Sequence, residues 1–274
     1  MKDLVIIESG RRERHYWLEL WRYRELFMVL AWRDLSVRYK QTAIGVLWAL
    51  IRPLLAVLVF TIIFGHIAKL PSVGTAPYAV MVFVGMLPWN FFANGLSDAS
   101  NSLISNSNLI SKVYFPRLII PSATLVVAMV DLAINFCILI IIMAWYRFVP
   151  GWQVAFLPIF ILLACLASAG PALLITSLNV KYRDFRFVTP FIVQFGLYIS
   201  PVGFNSSVVP EQWRLLYSLN PMVGVIDGFR WCLLGGQDQL HLPGVALGVC
   251  VATIMLWLGF RLFRKTEKDF ADLI

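Results

Sequence analysis

Charge is scarce in this sequence. Only 14% of its 274 residues are Asp, Glu, Lys or Arg, where a water-soluble domain has about a quarter. That composition excludes an ordinary soluble enzyme. No GxxxxGK[ST] phosphate loop occurs, so the chain is not by itself a P-loop ATPase. HExxH and GxSxG are also missing, and the three histidines, His15, His66 and His241, are far apart, each read as an interfacial or loop side chain. The four cysteines, Cys137, Cys165, Cys232 and Cys250, lack metal-ligand spacing, and three fall in apolar runs, as packing residues do. No metal site is expected. The first forty residues are charged and carry no signal-peptide core, so the first apolar run is expected to be its own insertion signal.

What is abundant is apolar surface, at 59% of residues. The fold class that follows is all-α, a polytopic membrane protein. A crossing takes roughly 20 apolar residues. Six candidates appear: Ile44 to Ala68, Pro77 to Ser97, Leu118 to Tyr146, Val154 to Leu178, Phe187 to Val209 and Leu242 to Phe260. Arg52 interrupts the first, and Pro88, Trp89 and Asn90 predict a kink in the second. The division is a single domain: a cytoplasmic amphipathic segment at 1–43, six spans within 44–263, and a cytoplasmic tail at 264–274. In the first segment Tyr16, Leu20, Tyr23, Phe27 and Leu30 recur at helical spacing, with Glu19, Arg22 and Arg33 opposite. The pattern predicts a helix in the membrane interface or packed on a soluble partner. Of the 23 Lys and Arg, 18 fall in segments that this topology places inside, which puts both termini in the cytoplasm. The net charge of +8 therefore reports orientation and gives no reason to expect nucleic acid.

The stretch Asn108 to Pro121, NLISKVYFPRLIIP, joins the second and third spans. Pro116 and Pro121 predict a bend. Lys112 and Arg117 give it a positive face, and Tyr114 and Phe115 give it bulk. Such a loop suits docking by a soluble partner. Residues 210–241 are too polar for a span and too apolar for a solvated loop. A break at Asn220-Pro221, a short helix and a Gly-Gly stop predict two short helices that dip into the outer leaflet and return, as a gate would.

Two carboxylates bear on the apolar runs: Asp98, read as the polar end of the second, and Asp131, well inside the third. Asp131 reads either as an ion or proton site or as a group paired inside the bundle, with Arg52 as the cation considered. Trp89, Phe91, Phe92, Tyr198 and Phe204 form a candidate substrate path on which sugar rings would stack. Individually, such residues are also common at membrane interfaces.

Four blocks, in order, give the sequence a resemblance: RDLSVRYKQTAIGVLWALIRPLL at 33–55, KVYFPRLIIP at 112–121, NVKYRDFRFVTPFIVQFGLYISPV at 179–202 and LNPMVGVIDGFRW at 219–231. Together they resemble the permeases of ABC exporters that move O-antigen, capsule or teichoic acid chains, the ABC-2 type membrane domain. The resemblance implies a homodimer of six-span subunits with two copies of a separate ABC ATPase, which would hold the ATP and Mg; this chain itself carries no cofactor and is not an enzyme. It gives Lys112, Tyr114, Phe115, Pro116 and Arg117 an ATPase-coupling role and makes Asn220, Pro221 and Arg230 part of an outer gate. The cargo implied is a glycan on undecaprenyl diphosphate at the bacterial inner membrane, with Arg38, Lys40 and Arg52 as candidates for the diphosphate entrance. The rivals are an exporter of drugs or small lipids, an ion- or proton-coupled secondary carrier, and a membrane glycosyltransferase.

Overall fold

The computed structural model describes residues 16–40, 45–69, 72, 74–182, 184–236, 240–267 and 270, with the backbone alone at 40 and 45–50. Every regular element among them is helical: α1 (Tyr16–Arg22), α2 (Arg24–Lys40), α3 (Gly45–Phe60), α4 (Tyr78–Ser105), α5 (Ser107–Lys112), α6 (Ile119–Trp145), α7 (Leu157–Lys181), α8 (Phe185–Ile199), α9 (Glu211–Tyr217), α10 (Pro221–Leu233) and α11 (Leu242–Thr266). α3 runs on into a π-helical turn, Thr61–Ile67, closed by the Ala68 N–H on the Ile63 carbonyl at 2.8 Å. A 3₁₀ turn, Trp152–Phe156, leads into α7.

Among the described residues four helices are long and apolar enough to cross a bilayer: α4, α6, α7 with its leading turn, and α11. They correspond to the second, third, fourth and sixth predicted spans. The apolar stretch Ile51–Ile67 and α8 are shorter. At ~1.5 Å per residue α8 reaches about 22 Å, against ~30 Å of hydrocarbon.

α4 is the centre of the bundle. Some 83% of its most apolar stretch is buried, against 17% for α11. It packs on α6, α7, α8 and α10, and it continues through Pro88 without ending. The missing N–H of an interior proline costs about 3 kcal/mol. Burial of Val80 to Leu87 and of Phe91, Phe92 and Leu96 outweighs it.

The N-terminal helices turn the predicted stripe toward the protein. Tyr16 and Leu30 are buried, and Leu20, Tyr23 and Phe27 are half-buried against the bundle. Outward stand Trp17, Trp21, Met28 and Trp32, each at least 64% exposed. α1 and α2 are thus apolar on two faces, and the outer one has the tryptophans suited to a membrane interface.

A second core closes one end of the bundle. Tyr16, Leu30, Leu103, Ile110, Phe115, Leu118, Ile119, Val180, Phe263 and Phe270 meet there. The elements that sequence reading places in the cytoplasm therefore converge.

α7 and α11 make the closest helix pair. A Cβ on Gly259 would stand 2.4 Å from the Gly170 carbonyl oxygen, and one on Gly170 would stand 2.5 Å from the Leu256 nitrogen. Small residues let two backbones meet where lipid offers no hydrophobic drive to association. Gly259→Ala therefore forces the helices apart at a cost of about 1–3 kcal/mol, read as a lower denaturation midpoint in detergent. Gly248→Ala meets only ordinary contacts, the nearest at 3.5 Å, and should leave that midpoint unchanged or raise it slightly.

Candidate functional site

The basic bend begins where α5 stops. Val113 is extended, with φ −131° and ψ 132°, and the proline at 116 discourages helix in the residue before it. α6 restarts through the Ile119 N–H on the Pro116 carbonyl at 3.2 Å. The bend divides its side chains. Phe115, 3% exposed, and Pro116 are inside the second core, whereas Lys112, Val113 and Tyr114 face outward beside a shallow notch. Of the five predicted coupling residues, then, Phe115 and Pro116 form the seat and Lys112 and Tyr114 the outer surface.

Arg117 lies between the two and is held from the far end of the chain. Its backbone N–H donates to Glu267 Oε1 at 2.9 Å, and its guanidinium donates to the Glu267 carbonyl oxygen. The Tyr16 hydroxyl donates to the same Oε1 at 3.3 Å, and Arg264 Nη1 donates to Oε2 at 3.0 Å. The Arg264 guanidinium also covers the Tyr16 ring, 3.5 Å from its centroid. Burial pushes the Glu267 carboxyl above the usual carboxylate range, against the opposing pull of the Arg117 N–H and Arg264. Burial, aided by Glu267, raises the Tyr16 hydroxyl too, which keeps it a donor. Glu267 was not found from sequence, where it is one acid in a basic tail.

A second ionic cluster fastens α2 to the bundle. Arg38 Nη1 donates to Asp98 Oδ2 on α4 at 2.8 Å, and Nη2 lies 2.8 Å from Asp131 Oδ2 on α6. The Tyr39 hydroxyl also donates to Asp131, and Asn94 Nδ2 reaches it at 3.4 Å. The cation beside Asp131 is therefore Arg38 and not Arg52, which is exposed on α3. The reason is reach: α2 packs along α6, and its long arginine spans both acids. Arg38 is thereby committed to two carboxylates, Arg52 stays outward, and the Lys40 side chain lies outside the described residues.

At the opposite end Asn220 and Pro221 begin α10 as expected. Asn220 Oδ1 accepts from the Met222 N–H at 3.0 Å, and its amide donates to Ser200 Oγ at 2.9 Å. Gly235 and Gly236, with φ of +76° and +71°, stop the helix. Arg230 is fully buried and donates to the Val202 carbonyl at 2.8 Å and the Phe204 carbonyl at 2.7 Å. A cation that sequence reading assigned to a gate thus latches the turn after α8 onto α10.

The aromatic set divides. Trp89, Phe91 and Phe92 are core residues of α4, each under 9% exposed. Trp89 packs on Phe92 and against Gly196 of α8. Phe204 is half-buried in the latched turn, and Tyr198 stands apart on the outer face of α8. There it continues a line that sequence reading missed: Phe187, Phe191, Phe195 and Tyr198, all at least half exposed. Phe191 and Phe195 have ring centroids 4.1 Å apart. Spacings of four, four and three residues were the available signal.

Residues 25–234 match the family described as ABC-2 type transporter. The chain is also similar to proteins named O-antigen export system permease protein RfbA. The one from Myxococcus xanthus is 24% identical over 258 residues, covering 93% of this chain and 98% of the relative. Two from Klebsiella pneumoniae are each 24% identical, over 251 and 255 residues, covering 91% of this chain and 95% of the relative.

Removing Arg38 strands Asp131, only 8% exposed, without its cation. Breaking a buried pair costs about 3–5 kcal/mol. Because Arg38 is about a third exposed, solvent reduces that to roughly 2–3 kcal/mol. Arg38→Ala should lower the thermal midpoint in detergent, and adding Asp131→Asn should restore most of the loss. A double variant no more stable than Arg38→Ala would show that the ion pair is not what holds α2.

Proposed function

The chain belongs to the ABC-2 type transporter family, and on that premise we propose that it is the membrane permease of an ATP-driven exporter of a lipid-linked, O-antigen-like polysaccharide. The observation that carries this reading is the end-to-end correspondence with permeases named for O-antigen export, which extends over more than nine-tenths of both chains. The permease works as a homodimer in the bacterial inner membrane, bound to two copies of a separate ABC ATPase that hold ATP and Mg.

In this proposal the chain is one domain with six crossings. α3 with its π turn is the first, α8 with the turn after it is the fifth, and both termini are cytoplasmic. α9 and α10 form the outer gate, with the Arg230 latch fixing its inner wall. The outward Lys112 and Tyr114 meet the ATPase, while Phe115 and Pro116 transmit its push to the bundle. The glycan on undecaprenyl diphosphate passes along the α8 aromatics, which suit stacking on sugar rings and bind without locking. Arg52, still outward, is the stronger candidate for the diphosphate, because Arg38 spends its donors on Asp98 and Asp131. That engagement also weakens the secondary-carrier reading, since Asp131 is already paired with Arg38 and Tyr39 within the protein.

Purification of the tagged chain from its native membrane, with mass spectrometry of bound protein and lipid, tests the reading. The expected result is an ABC ATPase in equal amount together with an undecaprenyl-linked glycan. Tyr114→Glu should reduce the ATPase recovered at least tenfold and leave the chain in the membrane. A stable chain that comes down alone, with transport that persists without ATP but collapses with the proton gradient, would replace the exporter by a secondary carrier.

A further inference from the structure

Glu267 lies outside the matched family residues 25–234 and outside every motif of the sequence. Its carboxylate nevertheless receives hydrogen bonds from three separate parts of the chain: the bend through the Arg117 N–H, α1 through Tyr16, and α11 through Arg264. Its own carbonyl oxygen takes the Arg117 guanidinium. The surroundings hold it still. Phe263 and Phe270 on either side are fully buried, with ring centroids 5.3 Å apart. Trp17 of α1 stacks on Phe260 of α11 at 5.5 Å. The bend itself is non-helical from 113 to 116 and has no regular ladder to fix it. A backbone amide is bound there by a side chain some 150 residues away.

We propose that Glu267 is the positioning residue of the bend, joining it to α1 and to the end of α11 so that the three move as one body. A push on Lys112 and Tyr114 is then delivered to α11, and through the close Gly170–Gly259 contact to α7, instead of being absorbed by a loose loop. The five predicted coupling residues all lie in the bend. This assignment adds the route by which motion leaves it, and it rests on the exporter reading for its functional consequence.

The test uses the full chain with its ATPase in proteoliposomes, and hydrogen–deuterium exchange of the bend, 113–118. In Glu267→Ala, exchange at the bend should quicken at least tenfold while the middle of α6 is unchanged. The ATPase should still bind and hydrolyse ATP within twofold of the native rate. Surface polysaccharide in cells, read by periodate–hydrazide labelling, should fall at least fivefold. Glu267→Gln keeps an acceptor for the Arg117 amide and should recover both slow exchange and export. Unchanged exchange in Glu267→Ala, or faster exchange with undiminished export, overturns the proposal. Should Glu267→Ala fail to accumulate, Glu267→Asp keeps the charge but withdraws it by one methylene; it should show faster exchange and reduced export, and native values for both overturn the assignment. If the native complex exports no polysaccharide, the exporter reading fails, whereas the exchange result, which needs no ATPase, still decides the positioning.

Discussion

A charge removed from water must find a partner, and in this bundle that constraint settles where the peripheral segments lie. The penalty for an unpaired buried ion is several kcal/mol, comparable to the whole stability of many domains. Three buried or half-buried ionic groups each recruit a segment that helix packing alone would leave loose. Asp131 on α6 draws in α2 through Arg38. Arg230 on α10 draws in the turn after α8 through two carbonyls. Glu267 draws the bend and α1 to the end of α11. The apolar helices supply the scaffold, and the ions decide how its non-helical parts are attached.

The scaffold was the legible part. Long apolar runs mark α4, α6, α7 and α11 because a crossing of fixed thickness demands them. The Asn220-Pro221 start and Gly235-Gly236 stop of α10 were equally legible, since capping and positive φ are local chemistry. The ion pairs were not. Arg38 and Asp131 are 93 positions apart, and Arg117 and Glu267 are 150 apart. Nothing local chooses Arg38 over Arg52. Pro88 sits inside α4 without ending it, because burial on all sides outweighs one lost hydrogen bond.

The aromatics show a different limit. In a soluble helix the apolar face points inward, so periodicity tells inside from outside. A lipid-facing surface is as apolar as a core, so that signal vanishes. Trp89, Phe91 and Phe92 on one helix, and Phe187, Phe191 and Phe195 on another, are alike in composition, yet the first set is buried and the second bare. The same ambiguity turned the N-terminal stripe: Tyr16 and Leu30 face the bundle, and the tryptophans take the outside.

Mobility follows from the same difference in packing. α4, α6, α7 and α10 share one dense core, and shifting any of them would open voids lined by side chains such as Phe83, Phe229 and Leu139. α8 is less committed. Along Phe185–Ile199 only Thr189 is buried, and its ties to the core are Val193 and Leu197, half-buried against it, and the seat of Gly196 against Trp89. Its C-terminal end is fastened at the Ile199 carbonyl, which accepts from the Tyr217 hydroxyl at 2.7 Å, at Ser200 by the Asn220 amide, and at Val202 and Phe204 by the Arg230 latch. A helix with one narrow face on the core and its C-terminal end fastened can tilt with less disturbance to packing than a helix buried on all sides. The dense helices therefore supply the frame, and α8, with its exposed line of aromatics, is a helix less committed to it.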